Sequence, residues 1–227
     1  MSGLELAAPE KNLPTLRFEG AEHTAIGDDT LLRFAKDALA IAARHVELHL
    51  PNGLALTYGQ VIALGGDFYG IPGQPISDGT SPAERVQRFS AAFNSLAVLP
   101  ASREEAPKIL AVMQKEINAV NQAIKDGKSP HDAYAALGDT LSEEWNRITG
   151  GGSVVSALFP LGRYLKLAAD NADHFGEWAL SAYLAGHTAA LQQAVIAHQS
   201  GTDQALELAY AMNSFADHFL TDLFSAG

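Results

Sequence analysis

Two side chains near the end of the sequence are spaced to act together. His218 and Asp222 are four residues apart in a segment with helical periodicity, so both point to the same side of a helix. An imidazole and a carboxylate at this spacing can bind one divalent metal ion, or they can hydrogen-bond to each other at the border of the core. The pair by itself leaves both interpretations open.

A third candidate ligand lies one helix earlier. Long helices are predicted at 173–199 and 202–224, and the short break between them favours antiparallel packing. His174, at the start of the first of these helices, would then lie beside His218 and Asp222 at one end of the hairpin. The chain has no cysteine, so its metal ligands must be His, Asp or Glu, and this set of ligands favours zinc.

Two more residues of the same types lie upstream. His23 stands at the start of the first predicted helix, and Asp67 follows the pair Gly65-Gly66 in a turn. Taken singly, each has an ordinary interpretation, namely an exposed histidine and a turn-forming aspartate. Either could instead point into a cleft that the hairpin helps to form.

The order of these residues resembles that of the bacterial zinc-dependent phospholipases C and the related single-strand nucleases, all-helical enzymes with a cluster of three zinc ions. The resemblance depends most on Ala172-Asp-His-Phe175 and the last helix, and more loosely on the segment 56–70. It implies that two zinc ions share five ligands: His174, His218 and Asp67 on one ion, His23 on the other, and Asp222 bridging both. Asp67 would also be the general base.

The activity that this resemblance implies is phospholipase C hydrolysis of phosphatidylcholine-like phospholipids, which gives diacylglycerol and a phosphorylated headgroup. Phe68 and Tyr69 would line the substrate pocket, because aromatic faces bind the quaternary ammonium of choline. Such a substrate implies contact with a membrane surface, and the family is secreted. The family's next ligand would come directly after Gly227, so we expect the third zinc site to be missing from this chain.

Two alternatives stay open. The formal net charge of −11 repels a phosphate backbone, which argues against duplex nucleic acid and disfavours, without excluding, a single-strand nuclease of the same superfamily. The other alternative is a catalytically silent helical domain, structural or interacting, whose His–Asp pairs only stabilise the fold. Zinc content separates this alternative from the enzymes.

The elements that must position these residues are predicted to be helices. No segment alternates apolar and polar residues as a strand does, so the fold class is an all-α multi-helix bundle. A capping box at Ser102 and Glu105 is predicted to begin a helix that ends at Gly127. The other predicted elements are a first helix within 23–46, a short helix at 58–64, a loop at 70–79, and helices at 130–147 and 154–167.

The chain is predicted to form a single helical domain. Residues 1–20 are expected to be an extended arm, 70–170 a helical insertion or lid, and 171–227 the metal-binding hairpin. His187 is predicted to pack in the core beside leucines of its own helix, and a supporting contact to the metal ligands is the alternative. No apolar run approaches the length of about 18 residues that spans a bilayer, and the first residues lack the pattern of a signal peptide.

Overall fold

Helices dominate the computed structural model, which describes residues 20–137, 140–152 and 161–224. The all-α prediction is confirmed. The α-helices are α1 (Gly20–Asp28), α2 (Tyr58–Leu64), α3 (Pro82–Ala97), α4 (Pro100–Lys125), α5 (Pro130–Leu137), α6 (Thr140–Ile148), α7 (Arg163–Ala169), α8 (Gly176–Ser200) and α9 (Asp203–Asp222), with 3-10 turns at Ala43–His45 and Asn171–His174. The arm predicted at 1–20 lies outside the described residues except for Gly20, which begins α1.

The prediction that the chain has no strand is wrong. Strands β1 (Leu31–Leu32) and β2 (Ile41–Ala42) pair antiparallel, as do β3 (Leu48–His49) and β4 (Ala55–Leu56). A strand of two residues is too short to show the alternation of apolar and polar residues by which strands are recognised.

The first helix does not lie within the predicted range 23–46, because α1 begins earlier, at Gly20. It ends at Asp28, and a strand begins at Leu31. The end of α1 packs on α2 through two glycines. A Cβ atom on Gly27 would lie 2.5 Å from the Gly59 Cα, so only a residue without a side chain allows this approach. The Asp28 carboxylate accepts a hydrogen bond from the Gly59 amide. This contact fixes the helix that carries His23.

Helix α2 is confirmed at the predicted residues, and its capping box joins Thr57 to Gln60. Residues 70–79 form no helix or strand, as predicted. Helix α3 was not predicted, although Ser81 caps it and Pro82 occupies its first turn, which together are a recognisable start signal. The loop at 70–79 therefore leads directly into a helix.

The capping box predicted at Ser102 and Glu105 is wrong, because α4 begins earlier, at Pro100. The Ser102 hydroxyl donates instead to backbone carbonyls of the α3–α4 turn. The Glu105 carboxylate binds the Arg163 guanidinium at 2.5 Å. The side chains that resembled a cap thus join three helices to each other.

The helix predicted at 130–147 is helical at each of its described residues, as α5 and α6, and residues 138–139 are not described. The one at 154–167 falls partly on residues 153–160, which are also not described, and α7 starts only at Arg163, after Gly162. Among the described residues, no helix is long and apolar enough to cross a membrane.

Helices α8 and α9 form the predicted antiparallel hairpin. Hydrogen bonds join Gln193 to Ala205 near the turn and His187 to Asn213 half-way along. Phe215 on α9 packs against the rings of Phe89 and Phe93 on α3. These α3 residues lie in the segment 70–170, so at least this part of the expected insertion belongs to the common core.

Candidate metal centre

All five predicted metal ligands lie together at the open end of the α8–α9 hairpin. The last turns of α9 carry His218 and Asp222. The predicted position of His174, in the first turn of α8, is wrong by a short distance along the chain. The residue lies in the 3-10 turn that precedes this helix. His23 projects from α1, and Asp67 comes from the loop after α2. Four separate segments therefore contribute side chains to one small volume.

Three donor atoms form a compact triangle. The His218 Nε2 atom lies 3.2 Å from His174 Nδ1 and 3.4 Å from Asp222 Oδ2. The third side, from His174 Nδ1 to Asp222 Oδ2, is 2.7 Å. A tetrahedral zinc ion with bonds of about 2.0 to 2.1 Å holds its donor atoms roughly 3.3 Å apart. Two sides match this spacing, and the third would have to open by about half an ångström.

The rings of His218 and His23 are held by neighbouring groups that set their tautomers. His218 Nδ1 donates to the Ile62 carbonyl at 2.9 Å, which leaves its Nε2 with a lone pair. The Thr221 hydroxyl donates to helix carbonyls, so it accepts from His23 Nδ1 at 2.8 Å. The His23 Nε2 atom then faces Asp222 Oδ1 at 3.5 Å. Support of this kind is typical of metal-binding histidines.

The two histidines of the triangle differ in charge preference. Burial lowers the pKa of His218 to about 3, so its ring is neutral near pH 7. For His174, burial also opposes the charged ring, but the hydrogen bond to Asp222 and the charges of Asp67 and Asp173 outweigh it, and the pKa is raised. The carboxylates thus draw positive charge into the cluster, whether that charge is a proton or a metal ion.

A glycine makes room for this arrangement. Gly66 has φ +63°, and a Cβ atom there would lie 2.4 Å from the His218 ring and 2.8 Å from the His174 ring. Any side chain at this position would displace both imidazoles and would also strain the backbone. The close approach places the next residue, Asp67, at the edge of the cluster, with its Oδ1 atom 4.0 Å from His174 Nε2.

The five residues divide by exposure. The side chains of His23 and His218 are at most 1% exposed, whereas that of Asp67 is 39% exposed. Asp222 directs one oxygen toward His174 and His218 and the other toward His23. A carboxylate with this orientation can join two ions or two halves of one hydrogen-bonded cluster.

The prediction that Phe68 and Tyr69 offer aromatic faces to a headgroup does not fit the structure. Both side chains are buried. Phe68 stacks on Tyr164, and the Arg163 guanidinium covers the Tyr69 ring at 4.6 Å. Phe68 is therefore a core residue, whereas the buried Tyr69 also lines a small cavity beside His174.

Asp173 has a supporting role that the sequence did not indicate. Its buried carboxylate accepts hydrogen bonds from the amides of Ile76 and Ser77, at 2.6 and 2.9 Å. It therefore ties the loop at 70–79 to the 3-10 turn that carries His174. Asp170, Asp173 and Glu177 all lie near His174 in the sequence, and the sequence alone does not indicate which of these carboxylates is buried.

A second polar cluster, which no sequence pattern indicated, lies beside the first one on α9. Tyr58 donates to Asp217 at 2.6 Å, and the Asn213 amide donates to the Tyr58 oxygen at 2.7 Å. His187 bonds to Asn213, so the prediction that it packs among leucines is wrong, since the leucines nearest to it on α8 point outward. Burial raises the pKa of Asp217 to about 6, although the bond from Tyr58 acts in the opposite direction.

Comparison of the sequence with protein-family models, with curated proteins and with solved structures finds no match. The function must therefore be argued from the site itself.

Proposed function

We propose that this chain is a zinc-dependent phosphodiester hydrolase, acting as a phospholipase C. The observation that carries the proposal is the convergence of His174, His218 and Asp222 at the spacing of a metal coordination shell, with His23 and Asp67 beside them. Three imidazoles and two carboxylates supply many more acceptors than donors. A cation satisfies such a set better than protons do.

The side chains have different tasks in this proposal. His174, His218 and Asp222 hold the ion, and His23 binds on the far side of Asp222. A zinc ion would supply Lewis acidity, which lowers the pKa of water and offsets the charge that a phosphate gains during attack. Asp67 is the ligand that solvent reaches, so we assign it to accepting the proton from the attacking water.

A phospholipid is the substrate class that the charge favours. A net charge of −11 repels a long polyanion more than a single phosphodiester, and a choline headgroup adds a positive charge of its own. Because Phe68 and Tyr69 are buried, the proposal no longer includes an aromatic headgroup pocket built from them. A single-strand nuclease is the alternative activity, because it would use the same metal-dependent hydrolysis of a phosphodiester.

The test compares two aspartates that belong to the same region of the chain. Asp67 lies in the cluster, while Asp78 is exposed in the following loop. Zinc content after dialysis and hydrolysis of phosphatidylcholine vesicles and of bis-p-nitrophenyl phosphate would be measured for the wild type, Asp67→Asn and Asp78→Asn. We expect about one or two zinc ions per chain, and a loss of roughly a hundredfold or more in turnover for Asp67→Asn only.

One observation favours a non-enzymatic role. His174 Nδ1 already lies 2.7 Å from Asp222 Oδ2, so the triangle can close as a hydrogen-bonded cluster without a metal. A zinc-free wild-type protein that keeps its stability in EDTA would favour this structural role and contradict the proposal. Equal turnover by the two asparagine variants would instead show that Asp67 is not the general base.

A further inference from the structure

Helix α8 buries its small residues and exposes its large ones. Its inner side is made of alanines, whereas six of its large apolar side chains are exposed, and four of these six lie along one side of the helix. Their exposed fractions are 44% for Leu180, 52% for Leu184, 55% for Leu191 and 56% for Val195. We call these four residues the outer face of α8. On a helical wheel they lie within an arc of about 60°, opposite the alanines.

The outer face lies in a segment without charge. From Trp178 to Ser200 the sequence has no Asp, Glu, Lys or Arg, although the whole chain has a net charge of −11. Single exposed apolar residues are ordinary on a protein surface. Helix α8, however, is apolar both on its inner side and along its outer face, and two apolar sides are typical of a helix that is covered on both.

The outer face is symmetric about one point, midway between His187 and Thr188. Leu180 and Val195 are equally distant from this point along the chain, and so are Leu184 and Leu191. When two copies of a helix pack antiparallel about a twofold axis, a residue meets its symmetric counterpart on the other copy. We infer that the outer face of α8 binds the same face of a second copy of this chain, independently of the metal centre.

In that dimer Leu180 meets Val195 of the second copy, and Leu184 meets Leu191. The charged end of the helix obeys the same symmetry. Glu177, just before the uncharged segment, is placed opposite His198 of the second copy, and both are exposed in the single chain. An acidic side chain therefore meets an imidazole, and the contact avoids the repulsion that other surfaces of an acidic chain would produce.

The available area fits a stable dimer. The 25 residues of α8 form a helix about 37 Å long. Side by side with α3, which borders the outer face, it presents a strip about 20 Å wide. The product is roughly 740 Å², close to the about 800 Å² per partner of a standard interface. The groove between the two helices, lined by Pro82, Val86 and Thr188, continues this surface.

A membrane fits this face less well than a second copy does. Helices that lie on a bilayer carry Lys or Arg beside their apolar side, where these cations reach anionic lipid. The segment 178–200 has neither residue, and the net charge of the chain is repelled by anionic lipid. Vesicle binding is thus an outcome to be tested and not the expected one.

The first experiment measures molecular mass in solution. Light scattering on the full chain should give twice the 24.0 kDa of one chain. Leu184→Glu should weaken association by roughly a hundredfold or more, since it buries an unpaired carboxylate against Leu191 of the second copy. Leu39→Glu, at a residue that is 88% exposed between β1 and β2, is the matched control and should leave the dimer intact. Circular dichroism establishes that both variants fold.

The second experiment fixes the geometry. The chain has no cysteine, so any disulfide formed by a single introduced cysteine must join two copies. Thr188→Cys lies beside the twofold axis and should cross-link under mild oxidation. Ser200→Cys should not, because its two copies would be roughly 37 Å apart along the helix.

Several results would overturn the inference. A monomeric wild type, or a dimer that survives Leu184→Glu, would show that the outer face is not the interface. A monomer that binds vesicles of phosphatidylcholine and loses that binding in Leu184→Glu would assign the face to a membrane. Efficient cross-linking of Ser200→Cys with none at Thr188→Cys would exclude the antiparallel arrangement.

Discussion

Two neighbouring polar clusters on α9 differ in how their hydrogen-bond donors and acceptors are paired. In the cluster of Tyr58, Asn213 and Asp217, each donor has an acceptor within hydrogen-bond distance. In the cluster of His218 and Asp222, ring nitrogens whose tautomers are set by the surrounding backbone and hydroxyl groups face carboxylate oxygens. The comparison teaches that burial of polar groups alone does not make a candidate metal site, since only the cluster of His218 and Asp222 groups three potential ligands closely enough to hold an ion.

The largest expected difference between the clusters is their response to zinc. His218→Ala removes a ligand, and the ion stabilises only the folded state, so the variant should lose its zinc-dependent stability. At a free zinc concentration about a thousand times the dissociation constant, this loss is about 4 kcal/mol. Asn213→Ala belongs to the other cluster and should keep the zinc effect. Calorimetric melting with zinc and with EDTA measures both.

The outcome that contradicts this comparison is equally direct. If EDTA lowers the melting temperature of His218→Ala as much as that of the wild type, the ion is bound elsewhere. If Asn213→Ala loses the zinc effect, the two clusters are one functional unit.

The next largest effect concerns pH in the absence of metal. Burial raises the pKa of Asp217 to about 6, above its ordinary value of 3.8, so the folded state binds a proton more tightly than the unfolded state does. Asp217 therefore stabilises the fold fully below about pH 4, and this contribution is lost as the pH rises to about 6. A shift of about two units corresponds to about 3 kcal/mol.

The neighbouring His218 titrates with the opposite sign, because a histidine with a lowered pKa destabilises the folded state as the pH falls below its ordinary value. The contribution of Asp217 is therefore isolated as the difference between the wild type and Asp217→Asn. Urea unfolding between pH 4 and 7 in EDTA should show the stability of the wild type falling relative to the variant. A constant difference across this range would mean that Asp217 is ionised throughout.

A smaller effect is expected for Tyr58→Phe. The phenol donates at 2.6 Å to a buried carboxylate, and a hydrogen bond to a charged group contributes about 1.5 to 3 kcal/mol. We expect the free energy of unfolding to fall by about 2 kcal/mol, by the same amount with zinc as with EDTA. A loss that appears only with zinc would join this cluster to the metal centre.

Sequence alone predicts the part of this molecule that follows periodicity and spacing. The pair His218 and Asp222, the hairpin that brings His174 to them and the short helix α2 all belong to this part. The inward turn of Phe68 and the small side chains under α8 do not, because they depend on which elements pack together. Period alone placed the leucines of α8 inside, whereas the fold buries the alanines.

The contacts that tune the site were also beyond the sequence. The Thr221 hydroxyl and the Ile62 carbonyl come from elements far apart in the chain, and only their packing around His23 and His218 gives them a role. Gly66 is a similar case. A glycine pair predicts a turn, but its closeness to two imidazoles appears only in three dimensions.

The smallest expected effect distinguishes a metal-bound His23 from a merely buried one. Thr221 holds the ring by accepting from Nδ1, and valine has the same shape without the oxygen. In Thr221→Val the His23 ring can turn or change tautomer, which changes how its Nε2 atom faces Asp222. Loss of such a supporting contact costs about tenfold in metal affinity or somewhat more.

Thr221→Ser keeps the hydroxyl and should bind zinc nearly as the wild type does. Isothermal titration with zinc measures all three proteins. Equal affinity in the valine variant would mean that His23 does not contact the ion. The metal site would then consist of His174, His218 and Asp222 alone, and only these three residues would distinguish the first polar cluster from the second.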